Sequence, residues 1–175
     1  CLVDTTKCIG CRSCQVACKQ WNSLPAEQTR FHGLGGGYEN PREYSSHTYT
    51  RVAFHEIMDD DDNLERCTFS KRQCMHCDDP ACASACPVTA LRKTPQGPVT
   101  YDASKCIGCR YCIWACPFGV PTAEWDSLAP RIRKCTFCSD RITSDLVPAQ
   151  INDQPVSDES RQRLADGQRK PACVK

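Results

Sequence analysis

The stretch Cys106-Ile-Gly-Cys109-Arg-Tyr-Cys112-Ile-Trp-Ala-Cys116-Pro117 decides the fold. Its spacing is C-x2-C-x2-C-x3-C, closed by proline. Two-residue spacers let one short loop aim three sulfurs at a common centre. The chain then turns into a helix, the fourth sulfur points elsewhere, and proline removes a backbone donor and restrains the turn. The same spacing recurs at Cys8, Cys11, Cys14 and Cys18. Cys74, Cys77, Cys82 and Cys86 read C-x2-C-x4-C-x3-C, followed by Pro87, and Cys135, Cys138 and Cys173 form a fourth, more open group. Of 17 cysteines in 175 residues, all but Cys1 and Cys67 fall into these groups. Disulfide partners sit wherever geometry allows, whereas metal ligands cluster in sequence, so the spacing argues for metal.

The run C-x2-C-x2-C-x3-C-P is the bacterial ferredoxin signature, in which three thiolates hold one iron–sulfur cubane and the fourth serves its neighbour. Zinc is the rival for any lone C-x2-C, but it takes four ligands, usually two plus two, and has no use for a third cysteine at x2 followed by C-P. Asp4 to Cys18 lies on Asp102 to Cys116 with ten of 15 positions identical, so the first and third groups are copies. The second and fourth then read as their partners. That pattern predicts a further cysteine four residues after Cys173, two beyond Lys175. With Cys1 in place of an initiator Met, the natural chain is expected to continue at both ends. Spacing alone leaves open whether the second group pairs with the third or the third with the fourth.

The composition excludes several classes. There is no run of 18 apolar residues and hence no membrane span within this stretch. The formal net charge is +1, without the basic excess that marks a nucleic-acid partner. No activated nucleophile, paired carboxylate motif or phosphate loop is present, so no catalytic residue is expected. The run Gly33-Leu-Gly-Gly-Gly37 has no strand before it and reads as a surface loop. Metal-bound thiolates are ionised; four oxidised cubanes would shift the balance to roughly −7, a charge that the 22 Lys and Arg then serve to answer.

Residues 1–22 read as a short strand, the first cysteine loop and a short helix, and 23–47 as loop. Thr48 to Ile57 reads as a strand, with Asp59-Asp60-Asp61-Asp62-Asn63 as a solvated hairpin turn rather than a calcium loop, for want of spaced ligands and a closing Glu. Leu91–Thr94 and Val99–Tyr101 read as a hairpin around Pro95-Gln-Gly97. Ser139–Val147 and Ser157–Ala165 have helical character, interrupted by Pro148 and Pro155. His76, between Cys74 and Cys77, is expected to shape the surroundings of the second group rather than to ligate. Trp21, Trp114 and Trp125 are expected to keep water off the cubanes. Lys7 and Lys105 hold matching positions, suited either to raising a potential or to solubility.

Four ferredoxin-type groups in this order resemble the iron–sulfur subunit of molybdopterin or tungstopterin oxidoreductases, a family that includes formate dehydrogenases and sulfoxide, nitrate, polysulfide and tetrathionate reductases. Cys135-Thr-Phe-Cys138 with Arg141 and the closing Pro171-Ala-Cys173-Val-Lys175 match the family's fourth motif. Cys18-Lys-Gln-Trp21-Asn-Ser-Leu-Pro25-Ala-Glu27 is most similar to the formate dehydrogenase beta subunit. Nitrate reductase beta subunits carry Trp in place of one cysteine of the third motif, which this sequence does not.

The resemblance implies an α+β fold of tandem bacterial-ferredoxin-like modules, small and loop-rich, one module inserted in the other. The outer module would comprise 1–66 and 117–175, the inner 67–116. It implies four 4Fe–4S clusters. One takes Cys8, Cys11, Cys14 and the cysteine beyond Lys175; one takes Cys135, Cys138, Cys173 and Cys18. The inner two take Cys74, Cys77, Cys82 with Cys116, and Cys106, Cys109, Cys112 with Cys86. The implied role is a non-catalytic subunit relaying electrons between a pterin-containing catalytic subunit, of formate dehydrogenase or alternatively of a sulfoxide, polysulfide or tetrathionate reductase, and a membrane cytochrome b with quinone or a soluble carrier. The implied location is the periplasmic side of the membrane, with the cytoplasm as alternative. A zinc-stabilised interaction module is the rival of a different class.

Overall fold

The computed structural model describes residues 3–29, 39–95, 97–128, 130–142 and 171–174. Its skeleton is a set of cysteine loops held by short elements. Helix α1 spans Ser13–Trp21, α2 Ala81–Ser84, α3 Tyr111–Ala115 and α4 Ser139–Ile142. Strands β1 (Arg51–Met58) and β2 (Leu64–Arg72), β3 (Leu91–Lys93) and β4 (Val99–Tyr101), and β5 (Thr122–Ala123) and β6 (Ile132–Arg133) pair antiparallel, as three two-stranded ribbons. A 3-10 turn covers Ala172–Val174. No helix among the described residues is long and apolar enough to cross a membrane.

The sequence repeat is a structural repeat. Asp4 Oδ1 accepts from the Thr6 N–H at 3.0 Å and its hydroxyl at 2.6 Å. Asp102 does the same with Ser104, at the same two distances. Gly10 and Gly108 lie at φ 69° and 71°, and Arg12 and Arg110 at 62° and 65°, immediately before α1 and α3. Two left-handed residues bend each loop around its cysteines. Lys7 and Lys105 pair with Asp4 and Asp102 at 3.7 and 3.8 Å, exposed ion pairs of little energetic weight.

The copies diverge after their last cysteine. Pro117 disfavours helical backbone at the residue before it, so α3 stops at Ala115 and Cys116 is extended. Lys19 follows Cys18, and α1 continues through it to Trp21.

The expected strand over Thr48–Ile57 begins at Arg51, and the Asp59–Asn63 turn is present: Asp59 Oδ1 accepts from the backbone of Asp61 and Asn63 at 3.0 and 2.8 Å. Its return strand, implied by the hairpin turn but given no residues there, is β2. The boundary drawn between residues 66 and 67 falls inside that strand, where Arg66 faces Ile57 and Cys67 faces Glu56. No strand precedes the first cysteine loop among residues 3–12. The expected hairpin at residues 91–101 forms with Leu91 opposite Tyr101. Of the helical stretches expected after Ser139, α4 covers Ser139–Ile142, and 143–170 lie outside the described residues.

Two small cores result. One gathers Cys82, Ala90, Leu91, Val99, Tyr101, Cys112, Ala123 and Ile132; the other gathers Cys18, Tyr49 and Cys135, with Leu24, Cys74 and Cys173 against it. Cysteines sit in both, so the cysteine sites are part of the core rather than appended to it.

Candidate metal centres

The structure brings cysteines together across motifs. Cys86, from the second group, lines one cavity with Cys106, Cys109 and Cys112 of the third. Cys18, from the first, lines another with Cys135, Cys138 and Cys173. Cys82 lies in the electrostatic field of Cys74, Cys77 and Cys116. Cys14 lies in that of Cys11 and Cys173. Cys8 is half-buried and Cys11 exposed in the first loop. Cys67 sits on β2 among none of these sets, and Cys1 lies outside the described residues.

Burial pushes these thiols up: Cys14, Cys18, Cys82 and Cys138 are raised, and Cys112 and Cys135 reach about 12. Left alone, such groups stay protonated, so a strong cation must supply the driving force for thiolate. The backbone anticipates it. The N–H of Ala90 donates to Cys86 Sγ at 3.2 Å, that of Phe137 to Cys135 at 3.4 Å and that of Ala172 to Cys138 at 3.4 Å. Lys71 Nζ donates to Cys173 Sγ at 2.9 Å. Donors to sulfur stabilise thiolate ligands and tune a cluster's potential.

Among the described residues no three His, Cys, Asp or Glu side chains converge as the ligands of a single ion would. The thiols border open spaces instead. A polyatomic group with ligands at its corners suits thiols arranged around a space in this way, whereas a zinc ion draws its sulfurs to about 2.3 Å. A buried polar atom that finds no hydrogen-bond partner, His76 Nε2, adjoins the cysteine sets. Its ring is held neutral, pushed down to about 3 by burial and then by the charges of Lys134 and Lys93. Since Nδ1 accepts from the Val99 N–H at 3.0 Å, the proton lies on Nε2, a donor awaiting an acceptor such as a cluster sulfur. The residues present therefore fit iron–sulfur clusters.

The loops are clamped by lysines. Lys93 Nζ donates to the carbonyls of His76 and Cys77 at 2.8 and 2.9 Å. In the Cys18–Glu27 stretch, Lys19 Nζ donates to the His47 carbonyl at 2.6 Å and the Pro25 carbonyl at 3.2 Å, and pairs with Glu27 at 3.5 Å. Ser45 and Thr48 donate their hydroxyls to the two oxygens of that same carboxylate. Trp21 donates to Asp140 at 2.9 Å under the guanidinium of Arg141, tying α1 to α4.

The other two tryptophans do not shield the cysteines. Trp114 is 88% exposed and Trp125 63%. On α3, Cys112 faces inward, and a residue two positions on faces away. Trp125 lies under the Arg110 guanidinium at 4.4 Å. These placements, like those of the half-buried lysines, carry no signal in spacing.

The model of the 4Fe–4S dicluster domain family matches residues 65–157, more than half of the chain. The formate dehydrogenase-O iron–sulfur subunit of Escherichia coli is 39% identical over 155 residues, covering 88% of this chain and 49% of that protein. A sulfite dehydrogenase subunit of Allochromatium vinosum is 36% identical, covering 99% and 62%. A putative dimethyl sulfoxide reductase iron–sulfur subunit of Halobacterium salinarum is 33% identical, covering 88% and 62%. The chain thus spans about half to three fifths of the length of these relatives.

Proposed function

The chain belongs to the 4Fe–4S dicluster domain family, and from that premise we propose that it is the electron-relay part of an oxidoreductase's iron–sulfur subunit. It would hold four 4Fe–4S clusters between a pterin-containing formate dehydrogenase catalytic subunit and a downstream acceptor, either a membrane cytochrome b with quinone or a soluble carrier. The proposed ligand sets are Cys8, Cys11, Cys14 with a cysteine beyond Lys175; Cys18, Cys135, Cys138, Cys173; Cys74, Cys77, Cys82, Cys116; and Cys86, Cys106, Cys109, Cys112. The observation that carries this reading is the cavity in which Cys86 of one motif joins three cysteines of another. Three thiolates from one motif joined by the fourth cysteine of another is the ligand pattern of paired ferredoxin-type clusters. An inner module inserted in an outer one follows from the same crossing.

Each bound cluster supplies reversible one-electron exchange. The protein's part is to exclude water, to donate N–H groups to the sulfurs and to hold the loops rigid. Formate as the partner's substrate is supported by the Cys18–Glu27 stretch and by the similarity to formate dehydrogenase iron–sulfur subunits. A sulfur-compound oxidoreductase is the second reading, favoured by the similarity to the sulfite dehydrogenase and sulfoxide reductase subunits. The periplasmic side of the membrane is the proposed location.

Metal and acid-labile sulfide analysis of the full-length protein tests the relay. About sixteen iron and sixteen sulfide per chain supports it; about four zinc without sulfide sinks it. Co-purification with a large pterin-binding subunit active on formate, rather than on a sulfur compound, decides between the two partners.

A further inference from the structure

A buried lysine lies between two of the cysteine sets. Lys134 is 5% exposed. Its ammonium donates to the Val99 carbonyl at 2.5 Å and to the Cys135 carbonyl at 3.0 Å. Among the described residues no carboxylate forms an ion pair with it. An ammonium removed from water is costly unless opposite charge answers it, and two carbonyl dipoles answer it only in part. Three half-buried cations, Lys19, Arg51 and Arg133, by contrast each have a glutamate.

The surroundings of Lys134 identify the missing charge. Cys135 is its neighbour in the chain, and the lysine's field acts on the thiols of both Cys135 and Cys82. Val99 ties the two together. Its carbonyl accepts from Lys134 while its N–H donates to His76, between Cys74 and Cys77. Phe137 closes the gap, edge-on to the His76 ring at 5.0 Å. Lys134 therefore stands at a seam between the set of Cys74, Cys77, Cys82 and Cys116 and the set of Cys18, Cys135, Cys138 and Cys173. An oxidised 4Fe–4S cluster with four thiolates carries about two negative charges, and two such groups would flank the one ammonium.

We propose that Lys134 is the internal counter-ion shared by these two clusters, and that its charge raises the reduction potential of both. An added electron deepens the negative charge of a cluster, so a fixed cation at its edge favours the reduced form, and the effect is large where water is excluded. The lysine positions no substrate; it acts through the clusters. The inference rests on the ligand sets of the proposed function.

The test uses the full-length protein, in complex with whatever subunits it co-purifies with. Iron and sulfide are first measured in the wild type; zinc without sulfide there would refute the relay itself rather than the role of Lys134. Lys134→Gln retains two N–H donors for the carbonyls but no charge, Lys134→Met removes both, and Lys134→Arg keeps the charge. Potentials are read by EPR-monitored potentiometry, with the cluster of Cys86, Cys106, Cys109 and Cys112 as reference. The expected result is that Gln and Met lower the two flanking potentials so that the reduced-to-oxidised ratio at fixed ambient potential drops at least tenfold, about 59 mV for one electron. Arg stays near wild type and the reference moves least. If neither neutral variant holds the iron of the two flanking clusters while Arg holds all of it, the charge is required for assembly and the proposal stands. A Gln variant with full iron and unmoved potentials overturns it, as does an Arg variant that loses as much iron as Met.

Discussion

Gly10 lies against the face of Phe69: a Cβ placed on residue 10 would come within 2.7 Å of that ring's Cδ1. Its repeat partner Gly108 has the same left-handed backbone but nothing within 4 Å of such a Cβ. The pair separates two demands on a cysteine loop. Gly108→Ala meets only the left-handed penalty, about 1–2 kcal/mol. Gly10→Ala adds overpacking against a ring fixed edge-to-face on Phe54 at 4.8 Å, a further cost of about 1–3 kcal/mol. Thermal or denaturant unfolding should rank Gly10→Ala well below Gly108→Ala, and Phe69→Ala should be less harmful in the Gly10→Ala background than in wild type. Equal losses at the two glycines would show that the Phe69 contact does not constrain the loop.

Crossed ligation gives the sharpest mutational signature. Cys86→Ser should damage the cluster held mainly by Cys106, Cys109 and Cys112, whose cavity it lines. Cys18→Ser should damage the one held by Cys135, Cys138 and Cys173. In each case EPR of the reduced protein should lose one cluster signal while the cluster of the mutated residue's own motif persists. Loss of the Cys74, Cys77 and Cys82 cluster in Cys86→Ser would mean that each motif fills its own site.

What was legible in the sequence follows from how local each signal is. Ligand spacing is local, so cysteine groups, their duplication and the turns around them were legible residue by residue. The β3–β4 hairpin was legible for the same reason, with Pro95 and Gly97 marking the turn. Strand β2 was not. Leu64-Glu-Arg-Cys-Thr-Phe-Ser-Lys-Arg72 is charge-rich and weakly alternating, because it is only half-buried. Its inner face is set by what it meets: Phe69 presses on the first loop, and Lys71, two residues on and so on the same face, reaches Cys173. Strands β5 and β6 are two residues each, too short for any period. Lys134 was illegible too, since a lysine beside a cysteine ordinarily reads as surface. Trp114 failed in the opposite sense, an aromatic that composition assigns to the interior and helix phase sends outward.

The carboxylate of Glu27 makes the Cys18–Glu27 stretch pH-sensitive. Partial burial pushes its pKa up, but hydroxyl donation from Ser45 and Thr48 and the charge of Lys19 outweigh that and hold it below the ordinary 4.5. A carboxylate with a depressed folded-state pKa contributes stability fully above its unfolded value and loses it as pH falls through the folded one. Glu27→Gln should therefore destabilise at pH 7, by about 1 kcal/mol for hydrogen bonds to a partly exposed charged group. The gap from wild type should narrow as pH falls below about 4.5. Denaturant unfolding across that range measures it; a gap that stays constant down to pH 3 would place the effect in packing rather than in charge.

Cluster removal tests how much of the core is inorganic. The larger core buries Leu91, Val99 and Ile132 as its sizeable aliphatics, beside Cys82, Ala90, Tyr101, Cys112 and Ala123, with Val88 and Ile113 packed against it half-buried. With the cluster gone, Cys82 and Cys112 and the side chains packed against them would line a space that no side chain fills, and groups bordering such a space lose their contacts on that side. The β3–β4 ribbon, three residues to a strand, cannot offset such a loss, since isolated two-stranded hairpins are marginal in water. Stripping iron with an oxidant and chelator should therefore collapse near-ultraviolet circular dichroism and open residues 74–116 to protease, with recovery on anaerobic reconstitution by iron and sulfide. Retention of a protease-resistant, cooperatively unfolding protein after complete iron removal would show that side chains alone suffice to close these cores.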